Sequence, residues 1–218
     1  MENEALVKLL METIRGKQSS IEVQGSIGDA NEIPVGVSNR HVHLSQADYN
    51  ILFGENYQMT KVKDLSQPGQ YACKETVTIC GRKGAIEKVR FLGPVRSKTQ
   101  VEILVGDTFK LGVASAVRMS GDLSGTPGIT IIGPKGSVQT KEGVIVAQRH
   151  IHMLPKDAQR FGVHDGQIVS VKVDGLRGGT YDNVAIRAND ASALEFHIDT
   201  EEANAMGLGN SSKITIVK

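Results

Sequence analysis

The chain of 218 residues has no tryptophan, two cysteines and only 4% aromatic residues. Binding single-stranded nucleic acid by base stacking needs exposed aromatic rings, and few are on offer. Net charge is nearly missing as well, with 25 Lys+Arg against 24 Asp+Glu and a formal +1. No overall field therefore exists to hold nucleic acid or an anionic membrane, and neither is expected as a partner. No apolar run approaches the roughly 20 residues of a bilayer span. No basic segment followed by an apolar stretch and a cleavage site opens the sequence, so export is not expected. Cys73 and Cys80 lack a Cys-x-x-Cys spacing. Two thiols in so long a chain make no disulfide scaffold and fit a reducing, intracellular setting. They read as small apolar strand residues. Also missing are G-x-S-x-G, the P-loop and G-x-G-x-x-G, which removes the usual support for serine hydrolysis, NTP binding and dinucleotide binding.

What is abundant is glycine, 24 residues, and a repeat accounts for it. VGVSNRHVHLSQAD (35–48) and VIVAQRHIHMLPKD (144–157) share V-x-V-x-x-R-H-[VI]-H-[LM]-x-x-x-D. Downstream, 75–94 and 167–190 each read as strand, Gly-containing turn, strand. TQVEILVGDTFKLGV (99–113) then aligns without gaps on LEFHIDTEEANAMGL (194–208): Val101 meets Phe196, Glu102 meets His197, Ile103 meets Ile198 and Gly112 meets Gly207. Short β-branched segments such as TVTI, VRFL, VEILV, IVSVKV and ITIVK dominate, and helices are expected only near 45–53 and 155–161. The expected fold is mainly β: two related small β-barrel subdomains from an internal duplication, 34–140 and 141–218, with short capping helices. A doubly wound α/β sheet would need alternating long helices. Ahead of this body, residues 1–20 read as an amphipathic helix, with Leu6, Leu9, Leu10 and Ile14 at helical spacing. Residues 21–33 read as a polar linker. A lone helix of this length is marginal in water. Its apolar face is expected to dock on the body, on a second copy in a homo-oligomer, or as a detachable peptide on a larger assembly.

Four of the six His form two H-x-H triplets, His41/His43 and His150/His152, each preceded by a strand-like run. In extended backbone, residues i and i+2 share a face, so both rings can converge on one ion. A third protein ligand is the usual complement of an open catalytic site. The repeat nominates Glu102 in the first half and His197 in the second, which predicts two sets: His41/His43/Glu102 and His150/His152/His197. Zinc suits these donors best, with cobalt, nickel, manganese and iron as alternatives. Arg96, six residues before Glu102 on a Gly-Pro turn, is placed to recognise phosphate. The loop 117–128 offers Arg118, Ser120, Ser124 and Thr126 as a phosphate nest, and Lys74, Arg82 and Lys83 form a basic hairpin. His164 lies outside the pattern and reads as a surface turn residue.

VGVSNRHVHLS, FLGPVRSKTQVEI, VRMSGDLSGTPGI, VAQRHIHMLP and LEFHIDTEEANAMGL together resemble the PduL-type phosphate acyltransferases, the phosphate propanoyltransferases of bacterial microcompartments. The resemblance spans 35–208. It implies a two-barrel fold with two divalent metals, normally zinc, on the six residues nominated above. It also implies reversible transfer of a short acyl group, propanoyl or acetyl, between coenzyme A and inorganic phosphate to give acyl phosphate. By the same resemblance Arg96 is the catalytic, phosphate-binding arginine, and Val37, Ser38, Asn39, Lys74 and Asn204 fall near coenzyme A contacts. Residues 1–20 look like the encapsulation peptide of some members, implying shell or core proteins as partners and a microcompartment in the bacterial cytoplasm. The residues by themselves leave two other readings open. One is a two-metal thioester or phosphoester hydrolase using metal-bound hydroxide. The other is a non-catalytic, metal-stabilised, compartment-associated protein, for which closed four-ligand sites are expected.

Overall fold

Period-two alternation in both repeats becomes strands that bury one face. The computed structural model describes residues 31–217, so the helix expected over 1–20 and most of the 21–33 linker lie outside the described residues. From Ile33 onward the chain is one compact unit. β1 (Ile33–Ser38) and β2 (His41–His43) precede α1 (Gln46–Phe53); then come β3 (Lys61–Asp64), β4 (Tyr71–Cys80), β5 (Ala85–Gly93), β6 (Gln100–Glu102) and α2 (Val105–Leu111). β7 (Val117–Arg118), β8 (Thr130–Ile132) and β9 (Ser137–Gln139) lead to the second repeat. That repeat holds β10 (Val144–Ala147), β11 (His150–Met153), α3 (Pro155–Phe161), β12 (Ile168–Val173), β13 (Gly179–Ala188), β14 (Glu195–Asp199), α4 (Thr200–Met206) and β15 (Lys213–Val217).

The fold is mainly β, with two barrel-like bodies. β1-β14-β11-β13-β12-β15 close into a six-stranded barrel. The other nine strands form a curled sheet, β7-β10-β6-β2-β5-β4-β8-β9, with β3 on β4. Each body has its own core: Val42, Val77, Ile79, Phe91 and Val101 in the curled sheet, and Ile151, Val171, Val184, Ile186 and Phe196 in the barrel. Burying side chains of this size is worth about 1.5–3 kcal/mol each.

The boundary between the bodies differs from the expected 140/141 division. The repeats exchange their leading strands. β1, from the first repeat, pairs parallel with β14 in the closed barrel (Gly36 opposite His197), and β10, from the second, pairs parallel with β6 in the curled sheet (Ile145 opposite Glu102). The division at 140/141 separates the sequence repeats, whereas each hydrogen-bonded body draws strands from both. Ile33, assigned to the linker by sequence, begins β1 and is fully buried.

α1 and α3 match the expected helices, but α2 and α4 had not been foreseen. VEILV shortens to a strand ending at Glu102 because α2 starts at Val105. In each of these two helices a carboxylate in the first turn accepts an orphan backbone N–H. Asp107 takes the Leu104 N–H at 3.1 Å, and Asp199 takes the Glu202 N–H at 2.8 Å. Both helices stop at a glycine in the left-handed region, Gly112 and Gly207, each with φ of 67°.

Candidate active site

Val42 and Ile151, at the centres of β2 and β11, enter the two cores. Strand alternation therefore turns His41/His43 and His150/His152 to the opposite faces. On isolated barrels those faces would be wet, yet the four histidines are only 2–9% exposed. The other body covers them. The β3–β4 loop crosses over: the Gln67 side-chain amide exchanges two hydrogen bonds with the Ala193 backbone, at 3.0 and 3.1 Å, and the Ser66 hydroxyl donates to Glu195. Glu201 accepts from the Gly106 N–H at 3.1 Å.

Strand pairing delivers the third donor. Glu102 lies opposite His41 across β2 and β6, and His197 lies opposite His150 across β11 and β14. Within each set of three, the donor atoms lie within 4.8 Å of one another. The His41 Nε2 stands 3.4 Å from Glu102 Oε2, and His150 Nε2 stands 3.1 Å from His152 Nε2. Two ring nitrogens that close need a proton or a cation between them. The tautomers suit a cation. His41 and His150 place Nδ1 on the carbonyls of Asn39 (2.7 Å) and Gln148 (2.8 Å), and His43 places Nδ1 on that of Leu92 (3.1 Å). A ring whose Nδ1 donates in this way offers the Nε2 lone pair to the site, as metal-binding histidines do. The donor sets thus fit divalent ions.

Electrostatics keep most of these rings neutral, the form that binds a metal. Burial, with His41 and Arg96 adding to it, pushes His43 down to about 3. Burial and His197 push His150 down to about 4, and burial with His150, His197 and Arg187 pushes His152 down to about 2. His41 goes the other way: burial lowers it, but Glu102 and the Asn39 carbonyl raise it by more. Burial alone would raise Glu102, and the His41 charge and hydrogen bond, with His43 and Arg96, hold it well below the usual carboxylate range.

Arg96 reaches this site. Its guanidinium donates to Ser120 Oγ at 3.1 Å; Gln100 Nε2 donates to the same oxygen at 2.8 Å and to Glu102 Oε1 at 2.6 Å. From the same loop the Gly121 N–H donates to Gln100 Oε1 at 2.8 Å, while the other residues nominated there point elsewhere. Arg118 lies 3.7 Å from Asp122, Ser124 is exposed, and Thr126 is tied to Leu123 and Gly143. Val37 and Ser38 lie on β1 beside β14, with Asn39 just after them, and Asn204 lies on α4, which packs on β1. Lys74 is exposed on β4 in the other body, as are Arg82 and Lys83 at the β4–β5 turn. His164 is exposed with Nδ1 on the Asp165 carbonyl. Cys73 sits in the first core, its thiol pushed up to about 11 by burial and then Glu75.

Two polar residues of the site went unnoticed in the sequence, Gln100 and Glu195. Each stands two residues before a third donor, on the same strand face, and the repeat aligns them with each other. Glu195 contacts His197 directly. It also explains Gly36, where the other repeat has Ile145: a Cβ there would lie 2.6 Å from the Glu195 carboxyl carbon. No helix among the described residues is long and apolar enough to cross a membrane.

A family model described as phosphate propanoyltransferase matches residues 34–209. A phosphate propanoyltransferase of Thermotoga maritima is 60% identical over 187 residues, covering 85% of this chain and 89% of that one. One of Rhodobacter capsulatus is 52% identical over 209 residues, 96% of this chain and 97% of the relative. One of Sebaldella termitidis is 47% identical over 219 residues, the full length of both. The matched span holds both histidine triplets, both third donors and Arg96, and on this evidence the chain belongs to the phosphate propanoyltransferase family.

Proposed function

We propose that the protein reversibly transfers a short acyl group, propanoyl or acetyl, between coenzyme A and inorganic phosphate, using two divalent ions, zinc by preference. The observation that carries this reading is the pair of three-donor groups, one on each body, with the Arg96 guanidinium linked to the first through Ser120 and Gln100. His41, His43 and Glu102 would hold one ion, and His150, His152 and His197 the other. Bound ions would supply Lewis acidity to the thioester carbonyl and the departing thiolate. Arg96, steadied by Ser120, offers a two-point grip on phosphate and orients one oxygen toward the carbonyl carbon. A phosphate oxygen–carbon bond forms, the carbon–sulfur bond breaks, and the thiolate leaves as coenzyme A. Phosphate at neutral pH is itself nucleophilic, so no acyl-enzyme is needed, in keeping with a Cys73 buried in the core.

Val37, Ser38, Asn39 and Asn204 would contact coenzyme A along the β1–α4 edge, and Lys74 would contribute charge to its phosphates. Residues 1–20 would recruit the enzyme to shell or core proteins of a microcompartment in the bacterial cytoplasm. The test is product identity: acyl phosphate formed from acetyl- and propanoyl-CoA only when inorganic phosphate is present, with metal content measured before and after chelation. Phosphate-independent release of free acid would instead mean hydrolysis. Full turnover by metal-free protein would remove the metal requirement. Arg96→Ala should lower turnover on the order of a hundredfold and weaken its phosphate dependence.

A further inference from the structure

Arg187 plays no part in the reading above. On β13 its Cα pairs with that of His152 on the parallel strand β11, and its neighbour Ile186 enters the barrel core. The Arg187 side chain therefore leaves the barrel on the face that carries His150 and His152. It is half-buried, and its guanidinium makes no hydrogen bond or ion pair with any described residue. A guanidinium drawn out of water normally finds a carboxylate. Arg149, on the same body, has one at 2.8 Å in Glu202. The carboxylates of the two clusters are already engaged: Glu195 with His197 and Ser66, and Glu102 with His41 and Gln100.

Arg187 lies beside imidazole rings on this face, next to His152 by strand pairing. Its charge also reaches Arg96, whose proton affinity is lowered first by burial, is raised by Glu102 and is lowered again by Arg187. Arg96 comes from the curled sheet and Arg187 from the closed barrel, and the charge of one is felt at the other. Two guanidinium groups, of which that of Arg187 has no ion-pair partner among the described residues, suit a multiply charged oxyanion, because each planar fork can take two oxygens.

We propose that Arg187 is a second phosphate-binding arginine, closing with Arg96 on opposite sides of inorganic phosphate or of the phosphoryl end of acyl phosphate. This rests on the phosphate acyltransferase reading. The experiment compares Arg187→Gln and Arg187→Lys with the unaltered holoenzyme, measuring separate KM values for phosphate and acyl-CoA, calorimetric binding of inorganic phosphate, and Tm with and without phosphate. Arg187→Gln should raise the KM for phosphate about tenfold or more while leaving that for acyl-CoA within about twofold. Arg187→Lys should fall between, keeping the charge but not the fork. Without phosphate the Gln variant should melt no lower than the parent, because an uncompensated cation has gone, and its phosphate-induced rise in Tm should shrink. A phosphate KM and calorimetric affinity equal to the parent's would overturn the proposal, as would a raised KM confined to acyl-CoA. If the parent makes no acyl phosphate at all, the activity reading fails, and the calorimetric comparison still decides Arg187.

Discussion

His41, His43 and Glu102 occupy in the curled sheet the places that His150, His152 and His197 occupy in the closed barrel, with the same strand pairing and the same Nδ1 anchor two residues back. Two aligned positions separate the clusters: Glu102 stands where the second has His197, and Gln100 where it has Glu195, so each side keeps one carboxylate but places it differently. In the first, Glu102 pulls His41 upward and adds a negative charge. In the second, all three donors are imidazoles, and Arg187 beside His152 makes the surroundings more positive. A divalent ion held by the first set would have its charge reduced by one, and an ion held by the second would keep it whole. Duplication thus supplied two copies of one scaffold, and two positions made them electrostatically different: the carboxylate is itself a donor in the first and contacts a donor in the second.

The largest expected effect comes from removing one donor from each cluster. His43→Ala and His152→Ala should each lower turnover by about a hundredfold or more. If the clusters load independently, metal analysis should give one ion per chain in either variant and two in the parent. Loss of both ions from one variant would show that its cluster must fill before the other.

The six donors were legible because chemistry and duplication coincide there: an H-x-H triplet on a strand has few other uses, and the repeat aligned Glu102 with His197. Gln100 and Glu195 were not, since a polar residue two places before a donor resembles an ordinary solvent-facing strand position. Arg187 becomes significant only once β13 is known to lie beside β11. The exchange of β1 and β10 between bodies was hidden for a similar reason. Val35 pairs with Phe196 rather than with its own repeat, and local patterning carries no record of such distant pairing. α2 escaped notice because Val105 and Gly106 are poor helix openers, whereas the Asp199-x-x-Glu202 spacing of α4 was a visible signal left unread.

The arginine of each R-H-x-H run sharpens the comparison at the next level. Arg40 pairs with Asp107 at 2.7 Å and Arg149 with Glu202 at 2.8 Å, and in both halves this ties the histidine strand to the helix that follows the third donor. Arg149 also lies over the Tyr181 ring, 4.5 Å from its centroid. Losing a charged hydrogen bond costs about 1.5–3 kcal/mol, and the ring contact adds roughly 0.5–1 kcal/mol. Arg149→Ala should therefore destabilise more than Arg40→Ala. The Tm difference should be roughly 1–4 °C by thermal unfolding. Equal losses would mean that the Tyr181 contact contributes nothing.

The smallest effect concerns the glycines that end α2 and α4. Both have φ of 67°, where a side chain costs about 1 kcal/mol, so alanine should destabilise at either site. Their surroundings differ. A Cβ on Gly112 would lie 2.6 Å from Lys83 Cγ and 3.0 Å from its Cβ, whereas one on Gly207 would come no nearer than 3.6 Å to Arg177. Lys83 cannot simply swing aside, because its backbone N–H donates to the Leu111 carbonyl at 3.2 Å. Gly112→Ala should accordingly cost more than Gly207→Ala in chemical denaturation. Asparagine at 207, which tolerates the left-handed region, should recover most of the loss. Equal costs for the two alanine variants would show that the β4–β5 turn yields freely. The stricter packing around α2 would then be a property of one resting geometry rather than a lasting difference between the halves.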